Sequence, residues 1–363
     1  MGGMWLAPQV EVASIYLDQF PENDLGRERI ARYGLCVFPS VTAALTLGGS
    51  ELAVDGVVII AEHGNYPRNE KGQTLYPRYA WFREVVRVFE ASGRCVPVFN
   101  DKHLSTSWEE CMEMVHDSRR LGFPFYAGSS LPITWRLPSI EMPYGTPLRE
   151  SVCVGYGGVD SYDFHALEAA QCMSERRQGG EAGIRSVQVL SGNACWEALA
   201  ERESTRDLFL SALCRSHSLP VDAGYPSEPV HFEWARRALP DTKGYFIEHL
   251  DGFVTAIFLT GIRDFNYAGQ RADTGEIIGC QMHLPMPRSG ADATTADFFN
   301  PLVRHVEEMI IRGRTDYPIE RTLLTSGMVI GAVESLFGGG ARFETTEMDI
   351  AYRTPRKSMY WRD

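Results

Sequence analysis

No run in this chain approaches the roughly 20 apolar residues of a membrane-spanning helix, so no membrane partner is expected. The first eight residues carry no basic cluster and no long apolar core, so no secretory signal is expected either. Basic charge is short: 35 Lys and Arg against 47 Asp and Glu leave a net charge of -12. That balance argues against nucleic acid or an anionic membrane surface as partner. The eight cysteines are scattered and form no CxxC pair. They read as reduced, mostly structural thiols of a cytoplasmic protein. No HxH or HExxH spacing occurs, and no GxGxxG turn.

What is present is ordinary globular composition, 44% hydrophobic and 23% charged over 363 residues, enough for two domains. From Val10 to Ala127 short apolar runs alternate with helical patterns. Strands are expected at Val10–Leu17, Leu35–Phe38, Val54–Ile60, Cys95–Phe99 and Phe123–Ala127. Helices are expected at Asp24–Tyr33, Ser40–Leu47, Arg78–Ala91 and Ser105–Leu121. This β-α repetition implies α/β: a Rossmann-like parallel sheet over residues 1–128. The pattern then changes. Strands at Val152–Tyr156, Ile184–Leu190, Tyr245–His249, Phe253–Leu259 and Ile277–Leu284 surround a helix at His165–Arg177. Two helices, Thr295–Ile311 and Ile319–Leu336, and a short strand near Met348–Tyr352 close the chain. Residues 129–363 therefore read as an α+β domain with an open, mainly antiparallel sheet, one face exposed. The loop Ser289–Thr294 and the tail after Pro355 read as disordered.

The densest chemistry lies in Pro97-Val98-Phe99-Asn100-Asp101-Lys102-His103-Leu104-Ser105. An apolar strand ends there in an amine and an imidazole, with Ser105 as the expected cap of the next helix. Ligands of open α/β sheets bind at such carboxyl ends. Lys102 would have a lowered pKa or donate to a substrate hydroxyl, and Asp101 would oppose the lowering. The bland alternative is a surface lysine in a loop. His165, opening a later helix, is a general-base candidate, or simply a histidine bonded to nearby backbone.

This order of parts resembles the Gfo/Idh/MocA-type oxidoreductases. Their fifth strand ends in Glu-Lys-Pro with a catalytic lysine, and here the position reads Asp101-Lys102-His103. Their Asp-x-x-x-His entry to a helix is matched in part by Ser161-Tyr162-Asp163-Phe164-His165, with the aspartate position on Ser161. The resemblance implies an NAD- or NADP-dependent oxidoreductase acting on a sugar, polyol or related hydroxy compound. Lys102, His165 and His103 would then be catalytic. Homo-oligomers through the second-domain sheet are expected. The family's glycine turn is missing, and the chain reads as beginning at the fold's second strand. Weak dinucleotide binding by this chain is the consequence.

Other residues fall into place around these. Asp18, ending the first strand, stands where a ribose-binding acid is expected, or is a solvated strand end. Glu62 and His63 end the Val54–Ile60 strand and are assigned to the cofactor side. The following loop is longer than the usual ~2–6 residues, and Tyr66 and Arg68 would touch ligand from it. Trp135, Arg136 and Asp163 are assigned to a small-molecule substrate, with hinge packing as the alternative for the first two. Lys102, His103, Glu62 and His165 are expected to converge on one cleft. Glu175, Arg176 and Arg177 read as helix surface, and Glu320 and Arg321 as exposed first-turn residues. Two further function classes stay open. One is a metal-dependent hydrolase or lyase using Glu62, His63, Asp101, His103 and His165. The other is a non-catalytic homologue without cofactor.

Overall fold

The computed structural model describes residues 8–22, 24–220, 229–285 and 297–362. Gly2, Gly3, the loop Ser289–Thr294 and the start of the helix expected from Thr295 lie outside these. The chain divides into two compact units, Met1–Gly128 with Val303–Ile319, and Ser129–Leu302 with Glu320–Arg362.

The first unit opens with β1 (Ile15–Tyr16), α1 (Gly26–Tyr33), β2 (Val37–Phe38) and α2 (Val41–Leu45). Ser40 caps α2 by accepting from the Ala43 N–H, as its sequence position requires. β3 (Val57–Ile59), α3 (Arg78–Ser92), β4 (Val98–Asp101), α4 (Trp108–Leu121) and β5 (Phe125–Gly128) follow. β3, β4 and β5 form a parallel sheet with β4 in the middle, and β1 and β2 form a separate parallel pair. The middle strand is buried along its length. α3 turns Phe82, Val85, Val86 and Phe89 inward at the i, i+3, i+4, i+7 spacing. α4 is capped by Ser107, not Ser105, and closes on Gly122 in the left-handed region. Its acids Glu109 and Glu110 lie in the first turn and Arg119 and Arg120 in the last, complementing the helix dipole. β1 is far shorter than the expected Val10–Leu17. No strand among the described residues joins β1 to β3, and Val58 of β3 and Ile60 just beyond it are 49% and 64% exposed.

The second unit is built on an open eight-stranded sheet. Its elements are β6 (Trp135–Leu137), β7 (Leu148–Tyr156), α5 (Tyr162–Ser174), β8 (Ile184–Ser191), α6 (Asn193–Ala200), α7 (Glu203–Leu213), α8 (Phe232–Ala238), β9 (Lys243–His249), β10 (Val254–Thr260), β11 (Phe265–Arg271) and β12 (Ile277–His283). After a short 3-10 turn come α9 (Asn300–Arg312), which crosses the unit boundary, α10 (Glu320–Phe337) and β13 (Phe343–Glu344). The strand order is β13-β8-β9-β10-β7-β11-β12-β6, antiparallel except where β10 runs parallel to β7. The parallel sheet followed by an α+β unit is the fold class read from the sequence.

Several expectations are corrected. The sheet has no bare face. α5 and α10 pack on one side, while Val152, Val154, Phe246, Ala256 and Phe258 are buried under α6, α7 and α8 on the other. The closing strand is Phe343–Glu344, and Tyr352 makes only a single bridge to Glu181. The tail after Pro355 is docked: Arg176 donates to the carbonyls of Pro355 and Arg356, and Tyr360 is buried. Glu175, Arg177 and Arg321 are interior, not surface. Glu175 accepts from Arg321 Nε at 2.8 Å and from the Tyr352 hydroxyl at 2.7 Å. Glu181 accepts from Arg177 and faces His249 Nδ1 at 2.9 Å.

Candidate functional site

β4 delivers the central group of the first unit. Asn100, Asp101, Lys102 and His103 are all buried, and Lys102 adopts a left-handed backbone at φ 69°. A non-glycine residue there is uncommon, and such backbone concentrates at functional sites. The conformation is fixed by neighbours: Lys102 N–H donates to the Gly128 carbonyl at 3.0 Å, and the Asn100 amide donates to the carbonyls of Asp101 and His103. The side chain thereby reaches two carboxylates. Lys102 Nζ lies 2.8 Å from Asp101 Oδ2 and 2.8 Å from Glu62 Oε2.

Burial alone would push the Lys102 ammonium down, but Asp101 and Glu62 outweigh it and hold the pKa above its ordinary value. The lowered pKa expected from the sequence is therefore corrected: the group stays an ammonium. Asp101 moves up, because burial outweighs the pull of Lys102.

His103 is held by a residue that the sequence did not single out. Arg78 Nη1 lies 3.3 Å from His103 Nε2. A guanidinium only donates, so Nε2 is the lone-pair nitrogen and the ring proton sits on Nδ1. His103 can therefore donate through Nδ1 but cannot take a proton at Nε2 while Arg78 is there. Arg78 did carry a signal. It sits four residues before Phe82, in phase with the buried stripe of α3, and a charge in core phase needs a reason.

Asp18, His63 and Arg68 are the remaining expected residues of this unit. Asp18 is exposed at the end of β1 and accepts from the Tyr16 and Tyr66 hydroxyls at 2.7 and 2.9 Å. These two bonds hold its carboxyl below the ordinary value. His63 and Arg68 are exposed.

In the second unit His165 is the fourth residue of α5, half-buried, its ring beside those of Tyr162 and Phe265. Asp163 is fully buried and holds the turn before the helix. It accepts from the N–H groups of Asp160, Ser161 and Phe164 and from the Tyr245 hydroxyl. Burial pushes it up to about 6. Its carboxylate thus serves the backbone that places His165. Arg136 is likewise interior, donating to the carbonyls of Pro132 and Ile140 with its guanidinium over the Tyr360 ring. Trp135, half-buried, packs edge-on to Trp361.

Glu168 lies three residues beyond His165 and is fully buried. It accepts from the Ser129 N–H at 2.7 Å and from the Thr322 and Thr325 hydroxyls of α10 at 3.4 Å each. Burial pushes it up to about 7, against the pull of the Ser129 N–H and Arg321. The folded state then binds this proton more tightly than the unfolded chain, whose value is near 4.5. Stability attributable to Glu168 should fall as pH rises from about 4.5 to about 7 and be level above. Chemical denaturation at pH 5 and pH 8 should show Glu168→Gln gaining on the native chain at the higher pH, on the order of 1–3 kcal/mol. An equal difference at both pH values would refute the assignment.

Among the described residues no group of three or more His, Cys, Asp or Glu is arranged to hold a metal ion. No helix among them is long and apolar enough to cross a membrane.

No protein-family model matches the chain, and no curated protein matches it in sequence. Solved structures do. GenD2 from gentamicin A biosynthesis, in complex with NAD, matches over 93% of this chain and 90% of its own at 13% identity and TM-score 0.57. A probable dehydrogenase from Thermotoga maritima matches over 93% of each chain at 11% identity and TM-score 0.52. The myo-inositol dehydrogenase of Lactobacillus casei, in complex with NAD(H) and myo-inositol, matches over 95% of this chain and 91% of its own, at 12% identity and TM-score 0.52. The chain shares the fold of these structures.

Proposed function

We propose that this protein is an NAD(P)-dependent oxidoreductase acting on a sugar, polyol or related hydroxy compound, with Lys102 and His165 handling the proton. The observation that carries the reading is the Lys102 ammonium, set in left-handed backbone at the carboxyl end of β4 between Asp101 and Glu62. The shared fold supports it, since neighbours of that fold include a protein of gentamicin A biosynthesis in complex with NAD and a myo-inositol dehydrogenase in complex with NAD(H) and myo-inositol.

The nucleoside end of such a cofactor fits the residues present. Asp18 already accepts two hydroxyl donors, one on each oxygen, and Glu62 and His63 follow the strand β3. No glycine turn for a pyrophosphate occurs in the chain. When bound, the nicotinamide supplies the hydride acceptor. The rest is the work of side chains. Lys102 donates a hydrogen bond to the substrate hydroxyl and stabilises the oxygen as its proton leaves. His165 is the general-base candidate of the second unit, its ring nitrogens suited to accept a proton. His103 offers an Nδ1–H donor, and Asp163 fixes the turn from which His165 projects.

A second reading is a homologue that kept the fold without the cofactor. It is favoured by the gap between β1 and β3 and by the engagement of Asp18 and Lys102 with side chains of the chain itself. Calorimetric titration with NAD and NADP separates the two. Saturable binding of either supports the oxidoreductase, and no heat at millimolar cofactor supports the second reading.

A further inference from the structure

The connection from β3 to α3 is a small structure in itself. Asn69 closes it: its Oδ1 accepts from the N–H groups of Lys71 and Gln73 at 3.0 Å, and its Nδ2 donates to Gln73 Oε1 at 3.0 Å. Leu75 N–H donates to the Pro67 carbonyl at 2.9 Å. This strap is fastened to the end of β1 at three points. The Asn65 N–H donates to Gln19 Oε1 at 2.8 Å, Gln19 Nε2 donates to the Asn65 carbonyl at 3.2 Å, and the Tyr66 hydroxyl donates to Asp18 Oδ2 at 2.9 Å. Gly64, at φ +124°, makes the approach possible. A Cβ there would stand 2.6 Å from Tyr66 Cε2, so the ring lies against the bare Cα. Tyr66 also meets Tyr76 edge to face at 5.7 Å.

We propose that Tyr66 is a built-in competitor for a ribose diol at Asp18, so that it sets the affinity of the nucleoside end and couples its binding to release of the strap. Two hydroxyl donors on the two oxygens of one carboxylate are what the vicinal hydroxyls of a ribose present. Here Tyr16 fills Oδ1 and Tyr66 fills Oδ2. The two differ in consequence. Tyr16 belongs to β1 itself, whereas Tyr66 arrives on the strap. A ribose that takes Oδ2 therefore removes one of the three fastenings and leaves only the Gln19–Asn65 pair. A 2′-phosphate would bring negative charge against Asp18, so the device serves NAD and not NADP.

This inference rests on the cofactor reading above. The test is Tyr66→Phe, which keeps the ring against Gly64 and Tyr76 and removes only the hydroxyl. NAD and NADP affinities are read by calorimetry, and the strap, residues 64–77, by hydrogen exchange. The variant should bind NAD about three- to tenfold more tightly, the size of one exposed hydrogen bond to a charged group, with NADP unchanged. Its strap amides should exchange faster without ligand, and NAD should speed their exchange in the native chain. Equal or weaker NAD binding by the variant, with binding intact in the native chain, would overturn the inference and leave the cofactor reading standing. No NAD binding by either would overturn both.

Discussion

Lys102→Met should lower turnover of the hydroxy substrate by about 10²–10⁴, the range for loss of a positioned proton-handling group. Substrate KM should move far less, because in the proposed reaction the ammonium would act on the oxygen as charge develops there. The substitution also leaves Asp101 and Glu62 without the cation that both now contact at 2.8 Å. Burial already pushes Asp101 up, and an unpaired neighbouring carboxylate pushes it further. The variant should therefore lose stability above neutral pH and regain part of it in mild acid, where one of the two carboxyls is protonated. Lys102→Arg keeps the charge but not the compact point donor. It should restore stability and little of the turnover. Steady-state kinetics with denaturation at two pH values checks both halves. A variant that lost stability but kept turnover would assign Lys102 to folding alone.

Arg321→Met should cost the second unit about 3–5 kcal/mol, the usual price of leaving a buried charge without its partner. Glu175 and Arg321 are both about 1% exposed, and Arg321 Nε donates to Glu175 Oε2 at 2.8 Å. The Tyr352 hydroxyl donates to the same oxygen, and so ties the closing segment to the end of α5. Changing Glu175 to Gln in addition should return much of the loss, because the uncompensated charge is gone. Urea denaturation of the two single variants and the double variant reads the coupling directly. Losses that simply add would mean that the pair does not interact as placed.

The strand-helix alternation of the first unit was legible because its signals are local. The run Cys95–Phe99 that leads into β4 is apolar, α3 and α4 carry clean buried stripes, and Gly34, Gly93 and Gly122 mark helix ends in the left-handed region. The second unit was read less completely for reasons equally local. α6 and α7 begin without a side-chain cap, at Gly192 and Arg202, so they offer no start signal. β11 reads Phe-Asn-Tyr-Ala-Gly-Gln-Arg, with a glycine and three polar residues in a strand that the sheet nevertheless buries. Arg321 and Glu175 looked like surface because each is charged. Only the partner, 146 residues away, makes them interior.

The site divides the same way. Lys102, Asp101 and Glu62 stand together because strand ends of one parallel sheet are neighbours, and that can be read from the order of strands. Tyr66 on Asp18 depends on where a loop folds back, which no spacing encodes, and the phase of Arg78 on α3 marks it as buried without naming His103 as its partner.

The measurement that bears most directly on the whole account is the appearance of reduced nicotinamide when the protein is mixed with NAD and a panel of polyols and sugars. The account predicts reduction with at least one of them, slowed when the reacting C–H is deuterated and lost in Lys102→Met. NAD that binds but is reduced by no hydroxy compound, or reduction that is indifferent to Lys102, would contradict it.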